Sequence, residues 1–143
     1  MDESDVELRN RTYRHFVETG RAPTATDLEL SEPELDAAWR RLHQAHALVL
    51  SPATAEIRML NPFSLVPTAY RVHAGGRWWY ANCAWDAVGI CAALHVDGRI
   101  DASCADCGGP IALEIAGEVP DDQSLLFHCL VPAVRWWDDI IFT

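Results

Sequence analysis

Apolar residues recur at helical spacing through most of the first 60 positions, and short strand-like runs dominate after them. Residues 5–19 read as a helix with Val6, Tyr13, Phe16 and Val17 as core contacts, closed by Gly20. A short helix is expected over 24–30. Ser31 followed by Glu34 reads as a capping box, ahead of an apolar stripe of Leu35, Ala38, Trp39 and Leu42. Leu48–Leu50 and Ile57–Leu60, separated by a turn around Ser51-Pro52-Ala53, form a hairpin. Helices followed by a small hairpin outline a winged helix. Further on, Tyr70–Ala74 and Arg77–Tyr80 flank Gly75-Gly76, a second hairpin. A helix is expected from Cys83 to Leu94, and strands at 98–103, 110–116 and 124–131, with a turn at Cys104–Gly109. Ile140–Thr143 reads as the opening of one more strand. The fold class is α+β, with a winged-helix-like helical domain at 1–60 and a mixed β domain at 61–143. Asn61-Pro62-Phe63-Ser64 and Pro67 mark the junction.

Charge narrows the partners. The chain has 143 residues and a net charge of −10, and all eleven of its basic residues are Arg. An acidic surface repels phosphate backbones and anionic membranes, so nucleic acid is an unfavoured partner. The would-be recognition helix also begins with Glu32, Glu34 and Asp36, where base contacts are usually made, and Arg40, Arg41 and Gln44 offset this only in part. The first 60 residues are therefore read as structural. No apolar run approaches the roughly 20 residues of a membrane span, and Met1-Asp2-Glu3-Ser4-Asp5 lacks the pattern of a secretory signal. A cytoplasmic protein is expected. Five cysteines without an export signal fit reduced thiols better than a disulfide framework.

Tyr80-Ala81-Asn82-Cys83-Ala84-Trp85-Asp86 is the densest chemistry in the chain. Cys83 and Asp86 are three residues apart at a helix start, so their side chains share one face. The helix N-terminus favours a thiolate, and on that ground Cys83 is expected to ionise below about 8.5 and to be alkylated first. A carboxyl one turn on can deliver or collect a proton beside it. The same pair is equally readable as a buried Cys and a helix-start Asp. Cys104-Ala105-Asp106-Cys107 resembles half of a zinc knuckle, open to zinc or copper, but no second Cys-x-x-Cys completes it. Cys91 and Cys129 sit in apolar runs and read as core thiols. Trp136 and Trp137 could line a pocket for an apolar substrate group or simply pack. The six histidines have no metal-ligand spacing.

Taken together, Asn61-Pro62-Phe63-Ser64, the Gly-Gly hairpin, Trp79–Asp86 and Val131–Thr143 resemble the alkylmercury lyase (organomercurial lyase) family over essentially the whole chain. The resemblance implies an N-terminal winged-helix-like segment and a β domain of unusual fold. It implies cleavage of a carbon–mercury bond by protonolysis, with Cys83 as attacking thiolate and Asp86 as proton donor. Mercury is then substrate and product ion, small thiols are partners, and no cofactor is required. The family's second catalytic cysteine would fall immediately after Thr143. A truncated chain, a selenocysteine codon, or a naturally short homologue would each account for that. Cys104 falls where the family often has a structural cysteine, and Cys107 is an addition. Cys83, Cys104 and Cys107 are thus the expected metal-contacting thiols. The readings from other classes are a non-catalytic soft-metal-binding protein, a metal-responsive regulator, and a lyase scaffold acting on another small organic molecule.

Overall fold

In the computed structural model, which describes residues 1–142, α1 (Glu3–Thr19) starts at Asp2, whose carboxylate accepts the Asp5 N–H at 2.9 Å. It stops at Gly20, which takes φ +79° and returns its N–H to the Phe16 carbonyl at 2.7 Å. The buried face is Asp5, Leu8, Thr12 and Phe16, while Val6, expected in the core, is 41% exposed. Phe16 is in the core and Tyr13 and Val17 pack against it as expected; apolar spacing missed Asp5 and Thr12 because they are polar. Asp5 pairs with Arg41 at 3.0 Å and Thr12 donates to the Leu8 carbonyl at 2.9 Å, so neither is buried without a partner. The helix expected over 24–30 is a single 3-10 turn, Thr26–Leu28. In α2 (Glu32–Gln44), the Glu34 carboxylate accepts the Ser31 N–H and hydroxyl at 2.8 and 2.6 Å, and Leu35, Ala38 and Leu42 are buried.

Eight short strands follow: β1 (Val49–Leu50), β2 (Ile57–Leu60), β3 (Phe63–Ser64), β4 (Arg71–Ala74), β5 (Arg77–Ala81), β6 (Gly98–Ser103), β7 (Pro110–Ala116) and β8 (Val119–Pro120). They form one sheet in the order β1-β2-β3-β5-β4-β6-β7-β8. The sheet was expected to be mixed, and every pairing in it is antiparallel. The second hairpin turns at Gly75 and Gly76, with φ +60° and +75°. A turn that needs two positive φ values in succession selects glycine at both positions.

The sheet runs through the junction near residue 61, because Leu60 of β2 faces Phe63 of β3. Side chains do the same. The Phe16, Phe63 and Trp79 rings lie 5.4, 5.6 and 5.1 Å apart pairwise, joining α1 to β3 and β5. The helix α3 (Ala84–Leu94) buries Ala87, Ile90 and Cys91 against this sheet. Cys91 is thus the core thiol expected.

Gly98 at the start of β6 is fixed by this packing. A Cβ there would lie 2.6 Å from Cys91 Sγ and 2.8 Å from the His73 carbonyl oxygen. The carbonyl belongs to the β4 ladder and cannot swing aside. Gly98→Ala is therefore expected to destabilise the protein by about 1–3 kcal/mol, read as a lowered midpoint in urea denaturation; an unchanged midpoint would show that the sheet yields freely here.

Two expected strands are absent. Residues 124–131 have no sheet partner, and Leu126 and Leu130 are 94% and 77% exposed. After Pro120 the chain leaves the sheet. Asp122 then accepts the Ser124 N–H and hydroxyl at 2.8 and 2.6 Å, a local turn that competes with pairing. Ala133–Asp138 forms a 3-10 turn, and Asp139 accepts the Phe142 N–H at 3.1 Å, bending residues 140–142 away from strand geometry. Thr143, the last residue of that expected strand, lies outside the described residues. No helix among the described residues is long and apolar enough to cross a membrane.

Candidate active site

Strand β5 ends at Ala81, and Asn82 and Cys83 carry the chain into α3. Cys83 is the N-cap residue of that helix, with φ −149° and ψ −178°, and its carbonyl accepts the Ala87 N–H at 3.0 Å. Asp86 lies in the first turn. The shared face expected from their spacing is present, for the Cys83 thiol and the Asp86 carboxyl lie close enough to act on each other's ionisation. The amides of Asp86 and Trp85 lie near enough to the Cys83 sulfur to favour its anion, although the thiol makes no capping hydrogen bond.

The charge state expected of Cys83 is overturned. Burial pushes its thiol above the usual range, and the neighbouring Asp86 carboxylate and Cys129 add to that, against the pull of the two amides. A helix start lowers a thiol pKa only where water or a cation also shares the charge; here desolvation outweighs it. Burial likewise raises the Asp86 carboxyl, while hydrogen bonds from Asn82 and Cys83 oppose the shift. The result is a thiol and a carboxyl, both half-buried, that each hold a proton more tightly than they would in water.

Asn82 anchors this pair. Its Nδ2 donates to Asp86 Oδ2 at 2.9 Å and to Asn61 Oδ1 at 3.1 Å, with the Pro62 and Phe63 carbonyls at 3.3 and 3.4 Å. Peptide carbonyls only accept, so they fix which end of the amide faces Asp86. The Asn82 Oδ1 is left buried without a partner. Tyr13 reaches the same point from α1, donating to the Asn61 carbonyl at 3.1 Å, and its own ionisation is raised by burial and, less, by the Asp86 charge. Neither role was read from the sequence. Asn82 lay in plain view beside Cys83, whereas nothing local marks Tyr13, 48 residues from Asn61.

Cys129 is a second correction. The sequence placed it in a buried strand, but it is exposed. It lies close enough for its charge to act on Cys83. The Phe127 ring sits 6.1 Å from that of Trp85, so the segment carrying Cys129 packs beside the start of α3. Trp136 donates to the Val131 carbonyl at 2.7 Å and Trp137 stacks on His46 at 3.9 Å, while Trp85 and Phe127 form the ring pair at the start of α3.

Cys104 and Cys107 stay together on the β6–β7 turn. All five cysteines are free. Among the described residues no three His, Cys, Asp or Glu side chains gather around one point where an ion could sit. Cys83 and the Cys104–Cys107 pair are therefore separate groups. Hydrogen bonds from the Cys107 and Asp106 amides and the Cys107 thiol hold the Cys104 thiol below its usual range. In a timed iodoacetamide reaction near neutral pH, Cys104 is expected to be alkylated before Cys83, reversing the order that a helix-start argument predicts. Cys83 labelling should accelerate as pH rises towards and beyond the normal thiol range. Faster labelling of Cys83 than of Cys104 at neutral pH would contradict these ionisation directions.

A thiol and a carboxyl side by side at a helix start, near exposed aromatic rings, define a centre that can bind a soft electrophile and protonate what leaves it. Residues 63–143 match the alkylmercury lyase family, MerB, and the chain belongs to it. No curated protein matches the chain. Among solved structures it is similar to the mercury-bound form of MerB2, at a TM-score of 0.67 and 24% identity. That match covers 85% of this chain, which spans 60% of the length of the MerB2 chain.

Proposed function

We propose that this protein cleaves carbon–mercury bonds by protonolysis, with Cys83 taking the mercury and Asp86 supplying the proton. The observation that carries this is the placement of Cys83 at the N-cap and Asp86 in the first turn of α3, close enough to act on each other's ionisation, in a chain of the alkylmercury lyase family. Because burial keeps Cys83 a thiol, the thiolate forms on attack. The Asp86 carboxylate takes the Cys83 proton as sulfur bonds to mercury and displaces its original ligand. The same proton then passes from Asp86 to carbon. The carbon–mercury electron pair stays with carbon, which leaves as a hydrocarbon, and mercury remains divalent on Cys83. Thiolate softness selects mercury over harder ions. Trp85 and Phe127 offer an apolar surface to the organic group.

Cys129 is the proposed second thiol for the ion left on Cys83, in addition to small thiols from solution. Five free cysteines fit a reducing cytoplasm. The first 60 residues are proposed to be a winged-helix-like support in which α1 and α2 buttress the sheet, and residues 61–143 the catalytic part. Arg40 and Arg41 of α2 are engaged by Asp36 and Asp5, at 2.9 and 3.0 Å, which suits support better than a nucleic-acid face. The direct test is incubation with an organomercurial and excess small thiol, with assay of the released hydrocarbon. Stoichiometric mercury binding without any hydrocarbon would replace this reading with non-catalytic soft-metal binding.

Asn82 is proposed as a positioning residue. Its N–H binds a carboxylate more strongly than a carboxylic acid, so it stabilises the charge that develops on Asp86 as the proton leaves. Asn82→Ala is expected to slow single-turnover hydrocarbon release roughly 10- to 100-fold, the usual worth of a hydrogen bond to a charged group. Losing that bond raises the Asp86 pKa further. The active pair carries one proton, so the acid limb of the pH–rate profile should move to higher pH. A slower enzyme with an unmoved acid limb would reduce Asn82 to a packing role.

A further inference from the structure

The turn between β6 and β7 is built around two sulfurs. Cys104 donates its N–H to the Gly109 carbonyl at 2.8 Å, and Gly108 donates to the Cys104 carbonyl at 2.9 Å. Gly108 makes the reversal at φ +71°. Gly109 leaves the room that Cys107 occupies, since a Cβ there would lie 3.3 Å from Cys107 Sγ. The Cys107 thiol and the amides of Asp106 and Cys107 lie near enough to the Cys104 sulfur to favour its anion. The closed turn thus keeps both side chains within reach of one ion, where Cys104 is partly exposed and Cys107 exposed.

We propose that Cys104 and Cys107 form a second soft-metal site, which holds a mercuric ion as a two-coordinate dithiolate apart from the Cys83–Asp86 centre. The number of donors decides the ion. Structural zinc takes four ligands in a tetrahedron, and this turn offers two. No group of three candidate ligands exists among the described residues. A mercuric ion is satisfied by two thiolates. Loading is an exchange: the two protein thiols displace two small thiols from a mercuric bis-thiolate. Each incoming sulfur gives up a proton, each departing thiolate takes one, and mercury stays divalent. Cys104 and Cys107 are three residues apart, so the second sulfur–mercury bond forms within one molecule, which favours the pair over any single thiol by about 10²-fold or more. The inference does not depend on lyase activity.

The test uses the reduced full-length protein, mercuric chloride and excess glutathione, with bound mercury read by mass spectrometry and by the ultraviolet sulfur-to-mercury charge-transfer band. A Cys83→Ser variant removes the reaction centre and should still retain one mercuric ion. Adding Cys104→Ser or Cys107→Ser should each cut retention by about 10²-fold. In the unmutated protein, peptide mapping after iodoacetamide should show Cys104 and Cys107 protected by the ion, a reading that needs no variant to fold. X-ray absorption should find two sulfurs per mercury. Retention unchanged by both substitutions, alkylation of Cys104 and Cys107 in the loaded protein, or four sulfurs around an ion shared between two chains would each overturn the proposal.

Discussion

Cys83→Ser is expected to abolish hydrocarbon release from an organomercurial while leaving the fold intact. A serine hydroxyl keeps the N-cap position satisfied, since serine is among the residues that favour it. What it cannot do is form a soft bond to mercury, which prefers thiolate to any oxygen donor. The oxygen is also far harder to deprotonate than sulfur, and Asp86 is too weak a base to compensate. The comparison to make is released hydrocarbon per chain alongside circular dichroism of the same sample. Hydrocarbon release at the parent rate, with normal folding, would move the nucleophile elsewhere, and Cys129 would be the first place to look because its charge already acts at this point.

Asp86→Asn has the second largest expected effect, and it separates binding from cleavage. The amide matches the carboxyl in shape but cannot take the Cys83 proton, so the organomercurial should load onto Cys83 more slowly, at a rate that rises with pH, and still go to completion. Asparagine has no acidic proton to give, so release of the organic group should slow by about 10²–10⁴-fold, the usual span for a lost general acid. Mass spectrometry should therefore show the organomercury adduct accumulating on the protein. Equal turnover of mutant and parent would remove the carboxyl from the mechanism. Loss of adduct formation as well would show that Asp86 serves chiefly as the base that ionises Cys83, which the raised pKa of that thiol makes a meaningful alternative outcome.

What could be read from the sequence was what is local. The Gly75-Gly76 hairpin needs only two glycines between strand-forming residues, and the Ser31–Glu34 cap needs one turn of chain. The Cys83–Asp86 pair was legible for the same reason: its geometry is set by three residues at one helix start. The misses at the site are long-range. Leu125–Val131 has the composition of a buried strand, yet composition cannot supply a neighbouring strand, and none accepts it. Cys129 was misjudged with it. The ionisation of Cys83 was misread because a helix-dipole argument counts the nearby amides and omits the desolvation that the surrounding chain imposes. Tyr13 was legible as a core contact but not as a donor to Asn61, which is brought to it by the packing of α1 on the sheet.

The pairing of Leu60 with Phe63 bears on how such a protein is inherited. The recognisable family sequence begins at residue 63, between two strands that are hydrogen-bonded neighbours. The matched segment is therefore shorter than what must stay together in space. Any change of sequence in the first 60 residues has to go on presenting a strand edge to β3, a ring at the position of Phe16 and a phenol at Tyr13. A lineage that exchanged this segment wholesale would have to replace a piece of the sheet, not detach an appendage.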